Sequence, residues 1–409
     1  MLHILSPRLS TRGARRAGWS KTLCAALVGS AYCMPALAAE GDTFSPFASI
    51  TYLHDSNLLR LSEEQLAQFG GDGSDDYRAA AAGLGVDKMF GRQHLTASLK
   101  ATRVKFDHFS QLDYTGKEGT ADLAWGLGNH VTGHVGVLYS DTLTPFTDFH
   151  DDERNLRTRH RNYVDGTWRF HPSFQVVAGY SEDQYRYSLE TQRYNERTEK
   201  TPMLEFDYLP ASLTRIGIQL RQQRVDYVFN NSYEQDEQKI NIFWPISGTT
   251  QLLFLGGRVQ RKYQANSARN TSGNNGRLIV NWSPRERLKF NAQMWQEFAA
   301  FEGATVNSSL NKGVSLSGTW DVSAKIRVDA QVQRERRDFD AFLPASQQPA
   351  TTDSFKDTTR SASAGVTYAI TPRWLLSARA FQDKRDGSVA ARTADYKAHG
   401  YSITATAQF

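Results

Sequence analysis

The chain has 409 residues, 48 of them Lys or Arg and 43 Asp or Glu, and a mean hydropathy of −0.53. No apolar run reaches the ~18 residues that a membrane-spanning helix needs. The two cysteines, Cys24 and Cys33, both stand near the start of the chain. Helical membrane proteins, disulfide scaffolds and thiolate metal sites are therefore excluded before any element is read.

The first element is a targeting segment. Arg8, Arg12, Arg15, Arg16 and Lys21 form a basic stretch, TLCAALVGSAYCMPALA is short and apolar, and Ala36-Leu37-Ala38 has the small-x-small form of a cleavage site. Residues 1–38 are read as a secretory signal peptide. Its removal takes away five basic residues and both cysteines, leaving 43 charges of each sign. A neutral mature chain does not carry the basic field that nucleic acid selects, so no nucleic-acid partner is expected. A chain without thiols crosses an oxidising periplasm with no wrong bridge to form.

Residues 39–409 show few helical periodicities and many alternations of period two. Ala121, Leu123, Trp125 and Leu127 alternate with polar or small residues. So do Phe174–Tyr180, Ile216–Leu220, Leu288–Met294, Ile326–Val332 and Ala362–Tyr368. Each predicts a strand with one oily and one wet face. Short turns are predicted at Gly91-Arg92, Gly128-Asn129, His171-Pro172, Pro210-Ala211, Ile246-Ser247, Ser283-Pro284, Val322-Ser323 and Thr371-Pro372. Aromatic residues precede most of them: Trp125, Phe170, Tyr208, Trp244, Trp282, Trp320 and Tyr368. Long polar stretches lie between, such as LRLSEEQLAQFGGDGSDD, DTLTPFTDFHDDERNLRT and RERRDFDAFLPASQQPATTDSFKD.

An aromatic girdle on the short-turn side and long loops on the other is the asymmetry of an outer-membrane barrel. Eight short turns imply about 18 antiparallel strands, or 16 if one weak hairpin near 231–263 is misread. The fold class is all-β: one transmembrane barrel with periplasmic turns and extracellular loops, integral to the bacterial outer membrane. In lipid an open sheet edge costs too much, so the first and last strands must pair.

The polar partners of the alternation are the pore-lining candidates. These are Asp122, Arg215, Arg221, Lys289, Lys325, Arg327, Asp329 and Arg379, with Gln219, Asn291, Gln293 and Gln331. Trp295 and Phe381 share the inward parity, where a ring can stack a sugar or simply pack. The mixed signs predict weak selection between ions, or a network of wall salt bridges. DGSDD at 72–76 lacks the later glutamate of a calcium loop and reads as a solvated acidic loop. The ten histidines have no paired ligand spacing, and there is no G-x-S-x-G or Walker loop. Neither an enzyme nor a cofactor is expected.

The chain closes on YSITATAQF, with Tyr401, Ile403, Ala405, Ala407 and Phe409 on one parity. This is the pattern of a closing strand read by the barrel-assembly machinery.

The segments DTFSPFASITYLHDSNLLRL, FDHFSQLDYTGKEGTADLAWGLGN and RNLRTRHRNYVDGTWRFHPSFQVVAGYS resemble the EpsL-type outer-membrane proteins of exopolysaccharide biosynthesis, which accompany exosortase operons. The resemblance implies a barrel that exports an extracellular polysaccharide, with periplasmic export proteins as partners. It carries no catalytic or binding residue over. The alternatives are a passive porin for small solutes and an adhesive barrel that holds extracellular polymer through its loops.

Overall fold

The computed structural model describes residues 43–409, apart from 69, 71, 148, 230, 266, 268, 269, 301–307, 340–354, 389, 390 and 392. The signal peptide expected at 1–38 lies outside the described residues. The strands in chain order are β1 (Phe44–Asp55), β2 (Asp75–Phe90), β3 (Gln93–Phe106), β4 (Tyr114–Leu127), β5 (Val131–Leu143) and β6 (Leu156–His171). They continue with β7 (Phe174–Tyr187), β8 (Arg197–Tyr208), β9 (Arg215–Tyr227), β10 (Tyr233–Ser247), β11 (Thr250–Tyr263) and β12 (Thr271–Arg285). The last six are β13 (Leu288–Ala300), β14 (Ser308–Asp321), β15 (Ile326–Phe339), β16 (Lys356–Thr371), β17 (Trp374–Asp386) and β18 (Tyr396–Gln408). A short α-helix, α1 (Glu63–Gln68), follows β1, and 3-10 turns stand at Ser110–Leu112 and Glu190–Asn195.

Every strand pairs antiparallel with its neighbours in sequence, and β1 pairs with β18 from Phe47↔Gln408 to Asp55↔Gly400. The sheet is a closed barrel of 18 strands. Closure leaves no edge unpaired, which is what hydrocarbon demands of a spanning sheet. The Phe409 amide still donates to the Pro46 carbonyl at 2.9 Å, so pairing runs to the rim.

The strands run 12 to 16 residues, longer than the ~11 needed to cross the bilayer. They project past the membrane on the side of the long connections. The stretches LRT and RERRDF, which the sequence places in loops, are therefore strand in β6 and β15. Four predicted turns also move: His171 and Thr371 end β6 and β16, so those turns shift by one residue to 172–173 and 372–373, and two others move further. Ile246-Ser247 and Ser283-Pro284 belong to β10 and β12, and the chain turns at Gly248-Thr249 and Glu286-Arg287 instead. In both hairpins the register shifts just before the turn, at Pro245/Ser247 and at Trp282/Arg285. Such a bulge accommodates the proline without a ladder bond.

The outer face carries the apolar set. Ile50, Val135, Val137, Val164, Leu204, Ile218, Leu316 and Val332 are exposed on alternate positions. The aromatic belt at the short-turn rim comprises Phe170, Tyr208, Trp244, Trp282, Trp320 and Tyr368, joined by Trp168 and Trp374. Within it Phe174 stacks on Phe206 and Trp282 on Phe290, across adjacent strands. On β18, Tyr401, Ile403 and Ala405 stand exposed on this face. Ala407 is buried beside its direct partner Trp374, and Phe409 is exposed at the rim.

Candidate functional site

A closed sheet turns one face of each strand inward, and in this barrel that face is polar. Asp122 on β4 accepts a bond from the Tyr163 hydroxyl at 2.5 Å and lies 3.0 Å from His134 Nδ1. Arg221 on β9 donates to Glu237 Oε2 at 3.0 Å, and the same oxygen holds Lys239 Nζ at 2.6 Å. Arg215 lies beside Asp207, Nε to Oδ2 3.9 Å. Gln219 donates to Glu205 at 2.6 Å, and Asn241 reaches the other oxygen of Glu205 from β10 at 2.7 Å. Arg379 on β17 donates to Asp329 on β15 at 2.5 Å and to Ser363 on the intervening strand at 3.2 Å. Arg327 donates to Asp321 at 2.6 Å. Asn291 and Gln293 sit in an amide row with Asn281, and Gln331 lies 3.5 Å from Gln333.

The remaining candidates are placed differently. Lys289 is exposed at the start of β13, opposite Thr319. Lys325 is not on a strand: it stands exposed in the turn between β14 and β15. The ring of Trp295 lies over Gly313, its direct partner on β14, and its Nε1 donates to Glu335 at 3.0 Å. The ring of Phe381 lies over its direct partner Gly400 in the same way. A Cβ at either glycine would collide with the ring. Both aromatics thus lie flat along the wall.

Most of these charges meet an opposite charge, and several bonds skip a strand: Tyr163 to Asp122, Asn241 to Glu205, Trp295 to Glu335 and Arg379 to Asp329. Such bonds lace the wall from inside. Each exposed pair contributes about 0.2–1 kcal/mol at most, so the lacing sets shape more than stability.

The second part of the site was not anticipated. At the long-loop end three connections fold together, forming an apolar cluster against the ends of the strands. Leu58, Leu59 and Leu61 follow β1. They gather with Phe109 and Leu112 from the β3–β4 connection and Phe146 from the β5–β6 connection, on Leu53, Tyr77, Val104, Phe106, Tyr114 and Leu143. His150 Nδ1 lies 3.0 Å from the Leu59 carbonyl, binding two of the connections together. Asp75 caps the third, its two oxygens accepting the amides of Asp107, His108 and Phe109 at 2.8–3.0 Å. The DGSDD stretch is thus not simply a solvated acidic loop: Asp75 is a buried loop cap, Asp72 accepts the Ser74 amide at 2.8 Å, and Asp76 lies 2.8 Å from His54 Nδ1. Among the described residues no group of His, Cys, Asp and Glu is arranged to hold a metal.

Arg60 pins this cluster. It has a left-handed φ of 58°, which only glycine adopts freely, and its side chain is 2% exposed. Nη1 donates to Asp55 Oδ1 at 2.8 Å and to the Asn57 carbonyl, and Nη2 lies 3.7 Å from Asp383 on β17. Burial works against the guanidinium charge, but the Asp55 and Asp383 carboxylates outweigh it and hold the pKa above its ordinary value. The Tyr396 ring lies 5.8 Å from Arg60 and 5.2 Å from Arg385. Arg385 approaches Asp357 at 3.9 Å, and Arg337 binds Asp357 with two nitrogens at 2.9 and 2.5 Å. A chain of buried charges therefore runs from the β1–β2 connection onto β15–β17. The signal for it was the apolar LLRL at 58–61 inside a stretch that otherwise reads as polar.

Residues 254–409 match the family described as "Putative beta-barrel porin 2". The match covers β11, from its fifth residue, through β18. No curated protein matches the chain. Among solved structures, OccAB3 of Acinetobacter baumannii is 10% identical with a TM-score of 0.47, over 90% of this chain and 100% of its own. OccK2 (OpdF) of Pseudomonas aeruginosa is 8% identical with a TM-score of 0.49, over 90% and 97%. The latter protein has also been solved in complex with glucuronate. The chain is a closed antiparallel β-barrel, integral to the outer membrane.

Proposed function

We propose that the barrel is a diffusion channel for small polar solutes. The observation that carries this reading is the cluster of inward-gathered connections around Arg60, which occupies part of the long-loop end and leaves less room for a polymer than a bare ring of 18 strands. The balanced wall supports it too. Most of its cations are matched by carboxylates, so a solute meets hydroxyls, amides and paired charges rather than a field of one sign. Neither feature calls for a catalytic or cofactor role.

The test is conductance in planar bilayers, using purified full-length protein. The expected result is a stable, ohmic pore with weak preference between cations and anions, unchanged by added polysaccharide. A pore that stays closed until polymer or periplasmic proteins are added would overturn the reading. It would support the export role that the sequence resemblance implies. Trp295 and Phe381 favour that second role only if their rings stack on sugar, for which Trp295 would have to give up the Arg277 guanidinium 5.3 Å from its ring. Trp295→Ala and Phe381→Ala would then reduce polymer passage while leaving salt conductance intact.

A further inference from the structure

The outer wall carries a feature that solute passage does not use. On β15–β18 the register places Arg334 directly opposite Arg360, Arg360 opposite Lys384, and Lys384 opposite Lys397. All four share the outward parity of Val332, Val366, Leu376 and Ile403, which are exposed. Four cations therefore stand side by side on four consecutive strands. Directly opposed residues have Cβ atoms about 5 Å apart, and like charges so placed are destabilising. One carboxylate, Asp386, answers the two central cations, at 2.7 Å from Arg360 Nη1 and 3.0 Å from Lys384 Nζ.

Opposed cations occur elsewhere too, Arg78 opposite Lys105 and Lys200 opposite Arg224, but as single pairs flanked by carboxylates. Arg78 holds Asp107 at 3.1 Å, Glu182 faces Lys200, and Glu234 faces Arg224 on one side and Lys262 on the other. The row on β15–β18 is longer, and its positive charge is in excess.

Height decides what that excess meets. Arg360 lies eight residues along β16 from Tyr368 of the aromatic belt. At about 3.3 Å per residue this is about 26 Å of strand, or about 20 Å of height at a tilt near 40°. The residues between, Ala362, Ala364 and Val366, are apolar on the outward parity. The row thus tops an apolar band whose height approaches the roughly 25 Å usual for such barrels. It lies at the level of the outer leaflet's headgroups and faces sideways, into lipid.

We propose that the Arg334–Arg360–Lys384–Lys397 row binds the phosphorylated headgroup of an outer-leaflet glycolipid. Phosphate oxygens accept charge-assisted bonds from guanidinium and ammonium groups, and remove the repulsion that the register imposes. The acyl chains lie on the wall below, where Ala364↔Ala380 and Ala378↔Ile403 pair to give a surface of low relief.

Full-length protein in neutral detergent, titrated with bis-phosphorylated lipid A, tests this, with native mass spectrometry reading the bound fraction. Arg360→Ser with Lys384→Ser should weaken binding at least tenfold. Lys200→Ser with Arg224→Ser removes the same charge from the opposite wall and should leave binding unchanged. Both variants must keep the heat-dependent gel shift of the folded barrel. Four results would overturn the proposal: equal loss in both double variants, equal binding of dephosphorylated lipid A, displacement by millimolar inorganic phosphate, or tighter binding of a soluble acidic polysaccharide to the same row.

Discussion

Arg60 shows how much one side chain can carry. Its backbone conformation costs on the order of 1 kcal/mol for a residue with a Cβ, and its burial is tolerable only because two carboxylates and a carbonyl receive it. Removing one partner of a buried pair typically costs about 3–5 kcal/mol, since the other charge is left without compensation. Arg60→Ala should release the 56–62 segment without unfolding the barrel, because no strand ladder depends on it. The expected readouts are faster proteolysis at 56–62 and a larger, noisier single-channel conductance. Arg60→Gly relieves the backbone and removes the charge. If it behaved like wild type, the ion pairs would not be what holds the segment. The apolar LLRL at 58–61 signals a buried segment, but the sequence does not show which carboxylates receive Arg60, and an arginine in a polar stretch is ordinarily a solvated one.

At the scale of the element, the barrel rests on pairs of directly opposed residues. Trp295 over Gly313 is the clearest case: the three atoms nearest a Cβ built at Gly313 all belong to the indole. A side chain at 313 and the indole at 295 compete for one space. Gly313→Val should therefore lower the yield of folded barrel, and Trp295→Ala in the same chain should restore it, as judged by the gel shift between unheated and boiled samples. Failure of the second change to rescue the first would place the fault in strand backbone instead. The parity of Trp295 was legible in the alternation of β13. Its lying flat was not, because that depends on which residue of β14 stands opposite, and register is a long-range property.

For the whole molecule the controlling fact is closure. β18 pairs on both sides, with β17 and with β1, so the last strand to join completes every ladder at once. Its outward residues Tyr401, Ile403 and Ala405 are exposed, with Phe409 beyond them at the rim, and the assembly signal expected from the sequence makes a prediction about them. Deleting Phe409 removes a single rim bond to Pro46 and no ladder pair within β18. The truncated chain should fold in detergent with its heat-dependent mobility intact, yet reach the outer membrane of cells in markedly reduced amount. Equal loss in both settings would make Phe409 a matter of stability, not recognition.

Alternation, turn spacing and the aromatic belt determined the barrel and its 18 strands, because each is a local pattern of period two or a residue type tied to one interface. Most pore-wall candidates were likewise readable from parity, and Lys325 was misplaced only because it stands just beyond a strand end. Tertiary structure alone decided which charges meet. The pairing of Arg379 with Asp329, the burial of Arg60 between Asp55 and Asp383, and the four opposed cations of β15–β18 all join residues far apart in the chain. Their meeting depends on register and on closure, and neither leaves a mark within a single strand.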